Sequence, residues 1–214
     1  MNKIIWKVTA SSVVVVAMLA GAPAQAFEMP KIPGASPANA ANPSVSGATV
    51  ARDARNALIS FTSAQLGLAQ AMGGYEGLAA QQQLLAGLKA GDAAAKKEDI
   101  ETAVTISKAA GDAISQKVAA NAQLTAENRE LALNSTVEYV KGLVASKKLM
   151  GSIQDLSRNP MAMGADSGSV MYLLKNLPGI VGGGASTTGT LIKYLSANGV
   201  DTSKAVAAAK DLGT

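Results

Sequence analysis

Neither cysteine nor histidine occurs in the 214 residues, and only 3% of them are aromatic. Without imidazole, Ser-His-Asp and Cys-His nucleophile pairs, the HExxH zinc site and the ExxH di-iron bundle site cannot be built within the chain. Without thiols there is no thiolate chemistry and no disulfide, so stability has to come from packing alone. Few aromatics beside abundant alanine and glycine suit close-packed helices better than a sheet core. Charge of either sign is also sparse. Removing Lys3 and Lys7, which lie in the expected leader, from the 19 basic residues leaves 17 against 15 acidic ones. That balance points to no nucleic-acid partner.

Residues 1–26 have the three parts of a secretory leader: Lys3 and Lys7 at the front, an apolar run over 13–20, and Ala24-Gln25-Ala26 as an A-x-A cleavage site. The run is well short of the roughly 20 residues that span a bilayer. The expectation is export from a bacterial cytoplasm to the periplasm or beyond, with Phe27 first in the mature chain and no integral membrane segment. Residues 27–46 hold Pro30, Pro33, Pro37 and Pro43 among small and polar residues, a composition of linker rather than packed structure.

Helical spacing governs the rest, and the class it predicts is all-α, an antiparallel bundle. Val50, Ala54, Ala57, Phe61, Ala64, Leu68 and Ala71 share one face, predicting a helix over 47–72. Gly73-Gly74 either kinks or ends it before a second helical segment at 75–89. Residues 92–158 contain no proline and return apolar residues every three or four positions, which predicts two long helices. Their break falls at 121–125, where Thr125 can cap the second and Glu127 and Glu130 sit against the positive end of its dipole. A connection that short predicts antiparallel neighbours, a hairpin around which the bundle over 47–158 is built. Beyond it, residues 159–214 read as a smaller group of short helices packing on the bundle. One runs from Val170 to Leu177 and is ended by Pro178-Gly179; one covers 186–197 after the flexible run Gly182-Gly183-Gly184; a last one, capped by Asp201, covers 202–212.

Candidate chemistry is thin. The run GIVGGGAS at 179–186 approaches a phosphate loop, but Ala185 stands where lysine must reach the phosphates. Asp166-Ser167-Gly168 lacks the histidine base it would need, and no Ser-x-x-Lys occurs; only Thr105/Lys108 and Thr190/Lys193 approach that spacing. The acidic groups Glu98, Asp99 and Glu101 lie towards the opposite end of the expected hairpin from Glu127 and Glu130, so the two sets cannot share one ion. Met161 and Met163, with Met150 and Met171 near in sequence, could offer soft thioethers to Cu(I) in an oxidising compartment, or fill space beneath a loop.

The expectation is therefore a non-catalytic protein of the cell envelope, without cofactor, that works through protein–protein contacts. The alternative is a carrier of an apolar small molecule or lipid between helices. An exposed apolar patch would favour the first and a cavity of several hundred Å³ the second. The segment 170–195 is expected to form the binding surface or lid, with Met171, Leu173, Leu174, Leu177, Ile180, Val181, Leu191, Ile192 and Leu195 as its candidate residues.

Overall fold

The computed structural model describes residues 46–91 and 96–213; the expected leader, nearly all of the proline-rich segment and the start of the central helical stretch lie outside them. The fold is all-α. Helix α1 spans Gly47–Ala71, α2 Leu78–Ala90, α3 Lys97–Ala119, α4 Ala126–Ser157, α5 Pro160–Met163, α6 Ser167–Ala197 and α7 Ser203–Ala209, with single 3₁₀ turns at Gly164–Asp166 and Lys210–Leu212.

Local chemistry sets the boundaries. Ser46 caps α1, its hydroxyl accepting the Thr49 amide at 3.3 Å. The helix ends where Gly73 and Gly74 turn to φ +90° and +68°, a region that glycine enters at little cost, so the pair reverses the chain rather than kinking it. Thr125 caps α4 by accepting the Asn128 amide, and Asn121 takes a positive φ in the connection before it. Counting α2, which returns against α1 with Gln82 at Gln70 and Lys89 at Ser63, consecutive helices from α1 to α4 run in opposite directions. Gly67 of α1 lies beside Ser135 and Phe61 beside Gly142, so α4 runs against α1; Arg55, Thr62 and Gln65 meet Asp99, Ala103 and Ser107 in the same order, so α3 runs with it. Tyr139 meets Gly184, and Leu124 at the start of α4 meets Asn198 at the end of α6, so α6 opposes α4.

The centre of the bundle differs from the one expected. The connection over 120–125 is short and α3 and α4 are antiparallel, but they flank α1 and scarcely meet each other. Helix α1 touches α2, α3, α4 and α6, and it is buried around most of its circumference. The cause is its composition. Ala51, Ala54, Ala57, Ala64, Ala69 and Ala71 let neighbouring helices approach on several sides, so that α1 packs on α2, α3, α4 and α6 at once. Along the apolar spacing of α3 and α4, Ile114 and Val140 are fully buried, while Val104, Val118, Val137 and Val144 are half-buried.

A second correction concerns residues 167–197. They form one continuous helix through Pro178 and the glycine triplet, where two short helices and a hinge were expected. Val170, Leu173, Leu177, Val181, Gly184, Thr188, Leu191 and Leu195 are its buried face, at spacings of three and four that never lose phase. Pro178 lies exposed, where water can satisfy the acceptor its ring leaves unpaired. Tertiary packing of that stripe outweighs the low helix propensity of proline and glycine. The smaller group remaining at the end comprises α7 and its 3₁₀ turn, held to α4 by Lys147, whose ammonium donates to the Leu212 carbonyl at 2.6 Å.

Candidate functional site

The bundle core falls into two parts. One gathers Leu58, Ile100, Ile106, Ile153, Leu173 and Leu177; the other gathers Phe61, Leu68, Ile114, Leu143, Leu191 and Leu195. At the level where they meet, α1 carries Thr62 and Gln65 and α3 carries Ser107, all buried. These side chains are paired. Ser107 donates its hydroxyl to Gln65 Oε1 at 2.7 Å, and Thr62 reaches the Ala103 carbonyl at 3.4 Å.

A cleft of about 390 Å³ opens at this level, walled by α1, α3, α4 and α6. Its apolar lining includes Phe61, Val104, Ile114, Ile180, Leu191 and the ring of Tyr139, which lies against Phe61 at a centroid distance of 4.8 Å. The side of α6 that faces it carries Gly179 and Gly183. A Cβ at either would meet nothing within 4 Å, so the cleft exists because this face has no side chains to fill it. Gly184 has a different task. Its missing side chain admits Leu143, and its carbonyl accepts the Tyr139 hydroxyl at 3.2 Å. Burial pushes the Tyr139 phenol well above its ordinary ionisation range, a shift the Thr187 hydroxyl partly opposes. Lys108 and Asp112 stand exposed at the rim, one helical turn apart, and neither forms an ion pair among the described residues.

The candidates read from 170–195 divide. Leu173, Leu177, Val181 and Leu195 are buried core, Leu174 and Ile192 pack at its margin, and Met171 is exposed. Only Ile180 and Leu191 line the cleft. None sits on a lid, because the helix that carries them is unbroken. The structure does not bring the methionines together: Met161 is 94% exposed, whereas Met163 turns into the core and Met150 packs against it. Of the acidic residues, Asp99 pairs with Arg55 at 3.2 Å and Glu101 with Lys97 at 3.0 Å, and no cluster of three acidic side chains able to hold a metal occurs among the described residues. Sequence reasoning missed Gln65, Ser107, Tyr139 and the wall glycines. The available signal was the pair Thr62 and Gln65, polar residues inside the densest apolar stretch of α1.

No family model, curated protein or solved structure matches the chain.

Proposed function

We propose that this is an exported, non-catalytic binding protein of the bacterial cell envelope, and that the cleft between α1, α3, α4 and α6 holds a small molecule with an apolar body. The leader-like composition of residues 1–26 supports export, and no described helix is long and apolar enough to cross a membrane. The observation that carries the reading is the cleft itself, whose volume lies in the range typical of small-molecule sites and whose lining is mainly apolar with a few convergent polar groups. A protein partner is the less supported reading. The exposed large apolar side chains Leu84, Leu131, Met161, Met171 and Val206 sit one each on α2, α4, α5, α6 and α7.

The test uses the neutral dye N-phenyl-1-naphthylamine. Saturable fluorescence enhancement at one dye per chain is expected for the wild type, with loss of binding in Gly179→Leu/Gly183→Leu, whose new side chains enter the open wall. That variant should melt no lower than wild type, because both positions lie inside a helix and have room. Undiminished dye binding in a folded variant would remove the cleft as the site.

A further inference from the structure

Gln65 is 5% exposed, yet its amide is only half satisfied. Oε1 accepts from Ser107, while Nε2, which carries two hydrogens, has no acceptor among the described residues. It is not sealed in the core. Gln65 lines the cleft beside Gly111, whose Cβ, were it present, would lie 3.3 Å from Nε2. The other buried or half-buried hydroxyls of the lining are committed: Ser107 to Gln65, Tyr139 to the Gly184 carbonyl and Thr187 to the Gly183 carbonyl at 2.9 Å. Gln65 Nε2 is thus the donor of a buried side chain left unused in a lining that is mainly apolar.

Resting on the reading of the cleft as a small-molecule site, we infer that its ligand carries a neutral carbonyl without a donor of its own, as in a ketone or ester, which enters first and accepts from Gln65 Nε2 while the apolar body lies against Phe61, Tyr139 and Leu191. Three properties of the site select this chemistry. A hydrocarbon would leave the buried amide donor unpaired, which a site containing such a group penalises. A carboxylate would give up its hydration for neutral donors, since the only cation of the lining, Lys108, stands at the exposed rim and shares it with Asp112. A hydroxyl would bring a donor of its own, whereas a carbonyl brings acceptor positions only.

The experiment compares three probes of nearly one shape, 2-acetylnaphthalene, 2-ethylnaphthalene and 2-naphthoate, by displacement of N-phenyl-1-naphthylamine from the full chain and from Gln65→Met. Met keeps the length of the side chain and removes the donor, and Ser107 can turn back to its own helix. The ketone is expected to bind wild type about tenfold tighter than the hydrocarbon, which equals one hydrogen bond of ordinary net strength. The carboxylate should be the weakest of the three, and the preference for the ketone should vanish in Gln65→Met. Equal binding of ketone and hydrocarbon to wild type, a comparison that needs no variant, overturns the inference while leaving the cleft as a site. So does a ketone preference that survives in Gln65→Met. Failure of the dye and all three probes to bind wild type overturns both readings together.

Discussion

Arg55 donates through Nε to the Asp99 carboxylate at 3.2 Å from a position on the central helix where the arginine is only 3% exposed. The same guanidinium donates through an Nη to the Leu88 carbonyl in the last turn of α2, so one side chain ties α1 to the end of α2 and the start of α3. Its partners face different surroundings. The Asp99 side chain remains a quarter exposed, whereas the arginine is enclosed by the elements that hold it.

Removing the two partners should therefore have unequal cost. Asp99→Ala strands a buried cation and is expected to cost about 3 kcal/mol. Arg55→Met fills the space with an apolar chain and leaves a carboxylate that water can reach, so about 1–2 kcal/mol is expected. Urea denaturation of both variants checks the order. The reverse order would mean that the Leu88 carbonyl, not Asp99, is what holds the arginine.

Glycines separate packing from lining. At Gly142 an added Cβ would stand 2.9 Å from the Phe61 Cβ and 3.0 Å from its Cα, where α4 crosses the backbone of α1. Gly142→Ala is expected to lower stability by about 1–3 kcal/mol in spite of the better helix propensity of alanine. Gly183→Ala has open space and should raise it by roughly 0.5–1 kcal/mol. Thermal melts of the two single variants decide; a gain in both would mean that α1 and α4 are less closely packed than the contact at Phe61 implies.

The start of α4 was legible because Thr125 caps it where the hydrophobic period resumes, and the span of α1 followed from its apolar spacing, whereas Gly73-Gly74 left a kink and a stop equally open until their positive φ angles decided it. At α6 two local signals conflicted. Pro178 and Gly182 to Gly184 read as a stop and a hinge, while the spacing from Val170 to Leu195 stayed in phase across them, and the period prevailed because its stripe has α1, α3 and α4 to pack on. The central place of α1 was hidden for another reason. A short connection suggests which helices are consecutive, but alanines spread round a helix tell how many neighbours it can take. The cleft was harder still, since Gly179 and Gly183 shape it by what they lack, and Gln65 is distinguished only by the partner its Nε2 does not have.

Alkaline pH should weaken the fold through Tyr139. Burial raises its ionisation above the usual value near 10, so the unfolded chain releases the phenolic proton first and unfolding gains free energy as pH rises past that point. The contribution is intact below about pH 10 and lost progressively above it. In an absorbance titration at 295 nm, the native protein should ionise its phenols later than the denatured chain, with the latest component missing in Tyr139→Phe. A latest component unchanged by the substitution would place the Tyr139 ring in water.

The last prediction concerns α6, whose helix is built from residues that disfavour one. Six glycines and Pro178 lie between Ser167 and Ala197. Relative to alanine they cost on the order of 9 kcal/mol of intrinsic propensity, taking about 1 for each glycine and about 3 for the proline. Burial of Leu173, Leu177, Val181, Leu191, Tyr194 and Leu195 offsets this only inside the bundle, since each such side chain contributes about 1.5–3 kcal/mol when removed from water. A peptide of residues 167–197 should therefore show little helix by circular dichroism in water, while the same residues in the full chain should exchange their buried-face amides as slowly as those of α4 once intrinsic rates are corrected. Protection across Val181 to Leu191 is the decisive measurement, because this stretch contains the triplet. Fast exchange confined to Gly182 to Gly184, between protected flanks, would restore the hinge and make the glycine wall of the cleft a moving part. Uniform protection would make it a fixed one, with the shape of the site set before any ligand arrives.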